Sequence, residues 1–189
     1  MKYRVVALSL LVCVASLSTA AEVRIRYSNG IYNSRFFWIQ YAHPGTLCTP
    51  SAGQYPVLLK TAHFGFEVGN AEVRVKIWSA TGSTPGTVLA SFYILTDPWP
   101  RWTDVSLEES KIIVNANNFF ISSDTLWREF FVTFRGAMPR QYPGHHFTSQ
   151  DDIKWVEAYA DWAIECTVDT NYGIGVAPAS LGRVKALYR

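Results

Sequence analysis

Hydrophobic and polar side chains alternate with a period of two along much of this chain. The clearest run sets Val73, Val75 and Ile77 between Arg74 and Lys76, the pattern of a strand with one face on a core. Val23, Ile25 and Tyr27 alternate with Arg24 and Arg26 near the start, and Trp162, Ile164, Cys166 and Val168 alternate near the end. Further strand segments are predicted over residues 35–42, 57–68 (with Gly65 as a bulge position), 87–95, 102–107, 111–114 and 126–134. Gly and Pro punctuate them. Asn29-Gly30, His43-Pro44-Gly45, Gly69-Asn70, Asp97-Pro98-Trp99-Pro100 and the loops 49–53 and 79–86 read as breaks. Short strands between such turns, with no alternation of strand and helix, predict an all-β sandwich or barrel. One stretch reads two ways. Ile153, Val156 and Ala160 have helical spacing, so residues 151–160 allow a helical turn as well as extended chain.

The first twenty residues break the alternation. Lys2 and Arg4 precede an apolar run, and Ser18-Thr19-Ala20 ends it with small residues. That is the grammar of a cleaved signal peptide over 1–20. The run is shorter than the ~20 residues a spanning helix needs, so no stable membrane span is expected once the leader is removed. The β domain is expected over 21–169, followed over 170–189 by a linker and a short basic tail.

Composition narrows the function classes. Hydrophobic residues make up 49% and charged residues 17%, which excludes a disordered chain. Aromatics reach 15%, as a strand-rich domain accommodates. Without Lys2 and Arg4 the chain carries 15 basic and 15 acidic side chains. A neutral domain offers no electrostatic funnel, so nucleic acid is not an expected partner. Two cysteines remain after the leader, Cys48 and Cys166. An even pair in an exported chain predicts a disulfide between them.

Several segments carry a likeness. Tyr55-Pro56 leads into a long strand, and residues 73–78 are followed by a Gly/Ser loop and by Pro85-Gly86-Thr87-Val88-Leu89. Trp102-Thr103-Asp104-Val105, Ile112-Ile113-Val114, Asn118-Phe119-Phe120-Ile121 and Asp161-Trp162-Ala163-Ile164-Glu165-Cys166 come next in order. Over residues 27–168 this series resembles a poorly characterised family of secreted bacterial β-sandwich modules, found in large surface proteins and beside peptidases. The resemblance implies an antiparallel, jelly-roll-like β-sandwich, similar in architecture to carbohydrate-binding modules, with no established activity. It favours the extended reading of 151–160. Many relatives have a Gly/Asp-rich hairpin where this chain has residues 79–84 without a carboxylate, which argues against calcium there. Residues 181–189 resemble a short terminal sequence of exported proteins, so the tail reads either as a sorting tag or as a last edge strand.

No nucleophile elbow, HExxH or Walker loop is present. Glu108 and Glu109, adjacent on one backbone, cannot flank one sugar bond and are expected in a solvated turn. No metal or cofactor is expected. The weak metal candidates are His145, His146, Asp151 and Asp152, whose spacing is not that of a closed site. Aromatic rings are the better lead, because sugar faces stack on them. The candidate ligand-binding rings are Trp99, Tyr142 and Trp155. The leading expectation is a non-catalytic secreted or cell-surface module that binds a glycan or a cell-surface protein. The alternatives are a structural envelope component without a soluble ligand and a small secreted hydrolase using residues 145–152.

Overall fold

The computed structural model describes residues 21–37, 43–125 and 133–172. The leader 1–20, the tail from residue 173 and most of the 126–134 strand therefore lie outside the described residues. Fourteen strands are described: β1 (Glu22–Ile25), β2 (Ser34–Phe37), β3 (His43–Cys48), β4 (Val57–Phe64), β5 (Glu72–Thr81), β6 (Thr84–Leu95), β7 (Thr103–Ser106), β8 (Ile113–Val114), β9 (Phe119–Thr125), β10 (Thr133–Ala137), β11 (His146–Ser149), β12 (Trp155–Glu157), β13 (Asp161–Trp162) and β14 (Ile164–Asp169). A single 3₁₀ turn, Glu108–Ser110, is the only helical element among the described residues, and it holds Glu108 and Glu109 where a turn was expected.

All ladders are antiparallel. One sheet has the order β1-β14-β4-β7, with β8 also on β4, and the other the order β12-β11-β3-β9-β5-β6. Numbering β1, β3, β4, β5, β6, β7, β9 and β14 from 1 to 8 gives 1-8-3-6 in one sheet and 2-7-4-5 in the other. That is the order of a jelly roll, two Greek keys closed into a sandwich. The expected fold class is therefore the one observed.

The core lies between the sheets. Val73, Val75 and Ile77 of β5 meet Phe119 and Ile121 of β9, Leu59, Ala62 and Phe64 of β4, and Ile164, Cys166 and Val168 of β14, all buried. The register between β14 and β4 slips at Thr167/Val168, leaving Lys60 as the extra residue. This bulge lets both Leu59 and Ala62 point inward although they are three apart.

Two expectations need correction, and one open reading is settled. His43-Pro44-Gly45 does not break the chain; it opens β3, an interior strand of the larger sheet. A β-carbon on Gly45 would run into the Phe120 ring, so glycine is needed for packing rather than turning. Residues 79–86 are not a long loop: β5 and β6 close in a tight hairpin at Gly82-Ser83, with Gly82 at φ +63°. Residues 151–160 are not helical. Trp155–Glu157 pairs with β11, while Ile153, which a helix would have buried, stays 84% exposed.

Strands β10 to β13 form an insertion between the seventh and eighth strands of the jelly roll. β10 and β13 build a small sheet with β2, and β11 and β12 widen the larger sheet beyond β3.

Candidate functional site

The face of the six-stranded sheet turned away from the core carries a second cluster. Leu47, Trp78, Ala80, Phe120 and Phe147 are buried there, with Trp155 packed over them. Strand alternation explains which residues point this way, since Trp78 pairs with Phe120, Lys76 with Ser122 and Arg74 with Asp124 across β5 and β9. Alternation predicts solvent on this face, yet Lys76 is only 7% exposed and Asp124 only 3%. The cover is the β11–β12 turn, which folds back over the sheet. Trp155 sits edge-on to Phe120 (centroids 4.6 Å apart) and to Trp78 (6.3 Å).

A charged network borders this aromatic floor. The Arg74 guanidinium donates to Asp124 through Nε and Nη2, at 2.9 and 2.6 Å from Oδ2. Lys76 Nζ lies 2.7 Å from the same oxygen and also donates to Asp152. The other oxygen of Asp152 accepts from His43 Nδ1 at 2.5 Å. Burial alone would raise the Asp152 carboxyl, but hydrogen bonds from His43 and Lys76 outweigh it and hold the group below the usual carboxylate range. Asp152 has φ +63°, and Asp151 secures that turn by accepting the Ile153 and Lys154 amides at 2.9 Å. His43, Asp124 and Asp152 have ligand atoms within 4.8 Å of one another, as three metal ligands would. The Lys76 ammonium contacts both carboxylates and so supplies the positive charge there itself. Beside Arg74, and paired with it across β5 and β6, stands Tyr93, 63% exposed.

The predicted residues fall in four places. Trp155 and Asp152 belong to this network. Tyr142 packs edge-on to Tyr27, against which His145 is stacked at 3.6 Å. Trp99 is half-buried in a trio with Tyr32 and Trp102, and the Arg24 and Arg135 guanidiniums lie over Trp102 and Trp99 respectively. The four weak metal candidates do not converge. His146 is fully buried and its ring takes three partners: Nε2 donates to the Tyr27 carbonyl at 2.9 Å, while Nδ1 accepts the Trp162 amide at 3.2 Å and lies 3.1 Å from the Thr46 hydroxyl. Burial pushes its pKa down to about 4, so the ring is neutral at pH 7. Sequence reasoning missed His43, Arg74, Lys76, Asp124 and Tyr93. The strict alternation of β5 marked Arg74 and Lys76 as one face, but nothing local indicated what would cover it.

The expected Cys48–Cys166 bridge is not formed in this structure. Both cysteines are free and fully buried in the core between the sheets. Their sulfurs face backbone carbonyls, Cys48 that of Thr46 at 4.0 Å and Cys166 that of Thr167 at 3.5 Å. They are nonetheless neighbours: burial raises the Cys48 thiol, and the charge of Cys166 raises it further.

On the outer face of the other sheet, His63 joins Asp104 (Nδ1 to Oδ1, 2.7 Å) to the Thr167 hydroxyl (Nε2 to Oγ1, 2.8 Å). The order resembles that of a nucleophilic triad. Thr167 lies in β14, which is laddered on both sides by β1 and β4. Its backbone amides are thus engaged in the sheet, whereas acyl transfer needs free donors for an oxyanion. The chain of hydrogen bonds ties β7, β4 and β14 together.

No protein-family model matches the sequence, and no curated protein matches it. Solved structures do. The cysteine protease and lectin-like domains of Cwp84, a surface layer associated protein of Clostridium difficile, align with a TM-score of 0.57 at 11% identity over 78% of this chain. The clostridial cysteine protease Cwp84 after propeptide cleavage aligns with a TM-score of 0.60 at 10% identity, again over 78% of this chain. The aligned portion is 36% and 40% of those chains, so this chain spans well under half of either. At such identity the likeness establishes a shared fold.

Proposed function

We propose that this chain is an exported, non-catalytic module of the cell surface that binds glycan on the outer face of its six-stranded sheet, between Tyr93 and Trp155. The observation that carries this reading is the exposed Tyr93 ring beside fixed hydrogen-bonding groups. A sugar presents C–H faces that stack on an aromatic ring and hydroxyls that pair with carboxylates and guanidinium. Here the ring is 63% exposed, and Arg74 and Asp152 are held in place by the buried Asp124 and Lys76 before any ligand arrives. Of the other candidate rings, Trp99 is covered by a guanidinium and Tyr142 is packed on Tyr27. The leader grammar supports export. The all-β fold shared with a structure named in part for a lectin-like domain supports a binding role, taking that domain as the aligned portion.

The test is a glycan array with the mature chain, followed by titration of the best ligand. Tyr93→Ala and Arg74→Ala should each weaken binding about tenfold or more, equivalent to about 1.4 kcal/mol. Trp99→Ala should leave it unchanged. No binding across broad glycan classes, or loss with Trp99→Ala but not with Tyr93→Ala, would refute this assignment.

A further inference from the structure

We infer that the edge of β6, unpaired among the described residues, is a self-association surface, pairing with β6 of a second copy to join two six-stranded sheets into one. Exposed strand edges offer unpaired amides and carbonyls, and natural domains blunt them with shortness, charge, proline or bulges. Five of the six sheet edges described here are blunted. β1 and β7 have four residues each and carry Arg24 and Asp104, β2 carries Arg35 among its described residues, and β12 and β13 have three and two. The sixth edge is β6, the longest strand, with twelve residues and no charged side chain. Its first half is blunted by Pro85 and by a register with β5 that breaks twice between Ile77 and Ala80. Residues 90–95 run in unbroken register against Glu72–Ile77 and form a regular, uncharged edge.

The side chains indicate a copy of this chain as the occupant. Ala90, Phe92 and Ile94 pack against the core yet stay only partly buried, while Ser91, Tyr93 and Leu95 face the other way, exposed. Antiparallel pairing of β6 with itself, about a two-fold axis normal to the sheet, sets each row opposite its own kind. The partner's Phe92 and Ile94 then continue the half-covered core row, and no like charges meet, because the strand has none. A foreign strand would have to match both rows by chance. The pairing also puts the two outer faces on the same side of one continuous sheet. The inference does not depend on the glycan reading.

The test uses the mature chain in analytical ultracentrifugation over a hundredfold concentration range, with amide hydrogen exchange. Wild type should dimerise, and the amides of 90–95 should gain protection as concentration rises. Ser91→Lys, on an exposed position, should shift the equilibrium to monomer with an unchanged circular-dichroism spectrum. A monomer at every concentration with fast-exchanging 90–95 amides would overturn the inference. So would a dimer indifferent to Ser91→Lys, or an edge protected only when an unrelated extended peptide is added. A refolding control on Ser91→Lys separates loss of pairing from loss of fold.

Discussion

His146 gives the domain an acid-sensitive term that can be worked out from the structure. Its ring is fully buried, with a donor on Nε2 and an acceptor at Nδ1, an arrangement only the neutral form satisfies. Burial is the main cause of a pKa lowered from 6.5 to about 4; the hydrogen bond to Tyr27 and the Asp161 carboxylate oppose the shift, while His145 and Arg140 add to it. In the unfolded chain the group titrates near 6.5. Above that value neither state holds the proton, and the native contribution is complete. As the pH falls from 6.5 toward 4 the unfolded state takes up a proton that the native state refuses, so stability falls. A fall from 6.5 to about 4 at about 1.4 kcal/mol per pH unit totals about 3.5 kcal/mol, of which about 3 is lost by pH 4, where the native ring is half protonated. Asp151 and Asp152, whose carboxyls are lowered, act in a different window, losing their contribution only as pH falls below about 3.8. Urea unfolding of the mature chain at half-unit steps from pH 7 to 4 measures the slope. His146→Gln, which keeps a donor toward Tyr27 but leaves the Trp162 amide unmatched, should be weaker at pH 7 by about 1–3 kcal/mol and should lack most of that slope. Equal slopes in wild type and variant, or an NMR titration of His146 above pH 6, would refute the reasoning.

Two further outcomes follow from packing. Gly45→Ala places a methyl group against the Phe120 ring and 2.9 Å from Trp155, and should lower stability by about 1–3 kcal/mol in thermal or urea unfolding; an unchanged midpoint would mean that the β11–β12 turn lifts off the sheet freely. Cys48 and Cys166 are both free and buried, so a thiol-alkylating reagent should leave the folded mature chain unmodified and add two groups once it is unfolded; exported protein that accepts none after unfolding, and weighs two hydrogens less, would show instead that the pair oxidises on export.

The sequence revealed the sandwich but not the candidate site, and the reason lies in how far each property reaches along the chain. Strand identity is a local matter: Val73, Val75 and Ile77 declare a core face within five residues, and the structure buries all three. The resemblance supplied the jelly-roll order that local patterns leave open. What periodicity cannot convey is the state of the opposite face. Arg74 and Lys76 read as a solvated row, and on a bare sheet they would be one. Lys76 is buried where Asp152, more than seventy residues later, returns to pair with it, while Trp155 covers Trp78 and Phe120 beside it. Asp152 and Trp155 come from the insertion β10–β13, far along the chain from the strands they cover. The same limit explains His43-Pro44-Gly45. Its residues are turn formers taken singly, but Gly45 is selected by a ring on β9 and a second ring on β12, which no local window contains. The jelly roll thus supplies the flat sheet, and the insertion converts part of its outer surface from a generic polar face into an ordered array of charges beside an open ring.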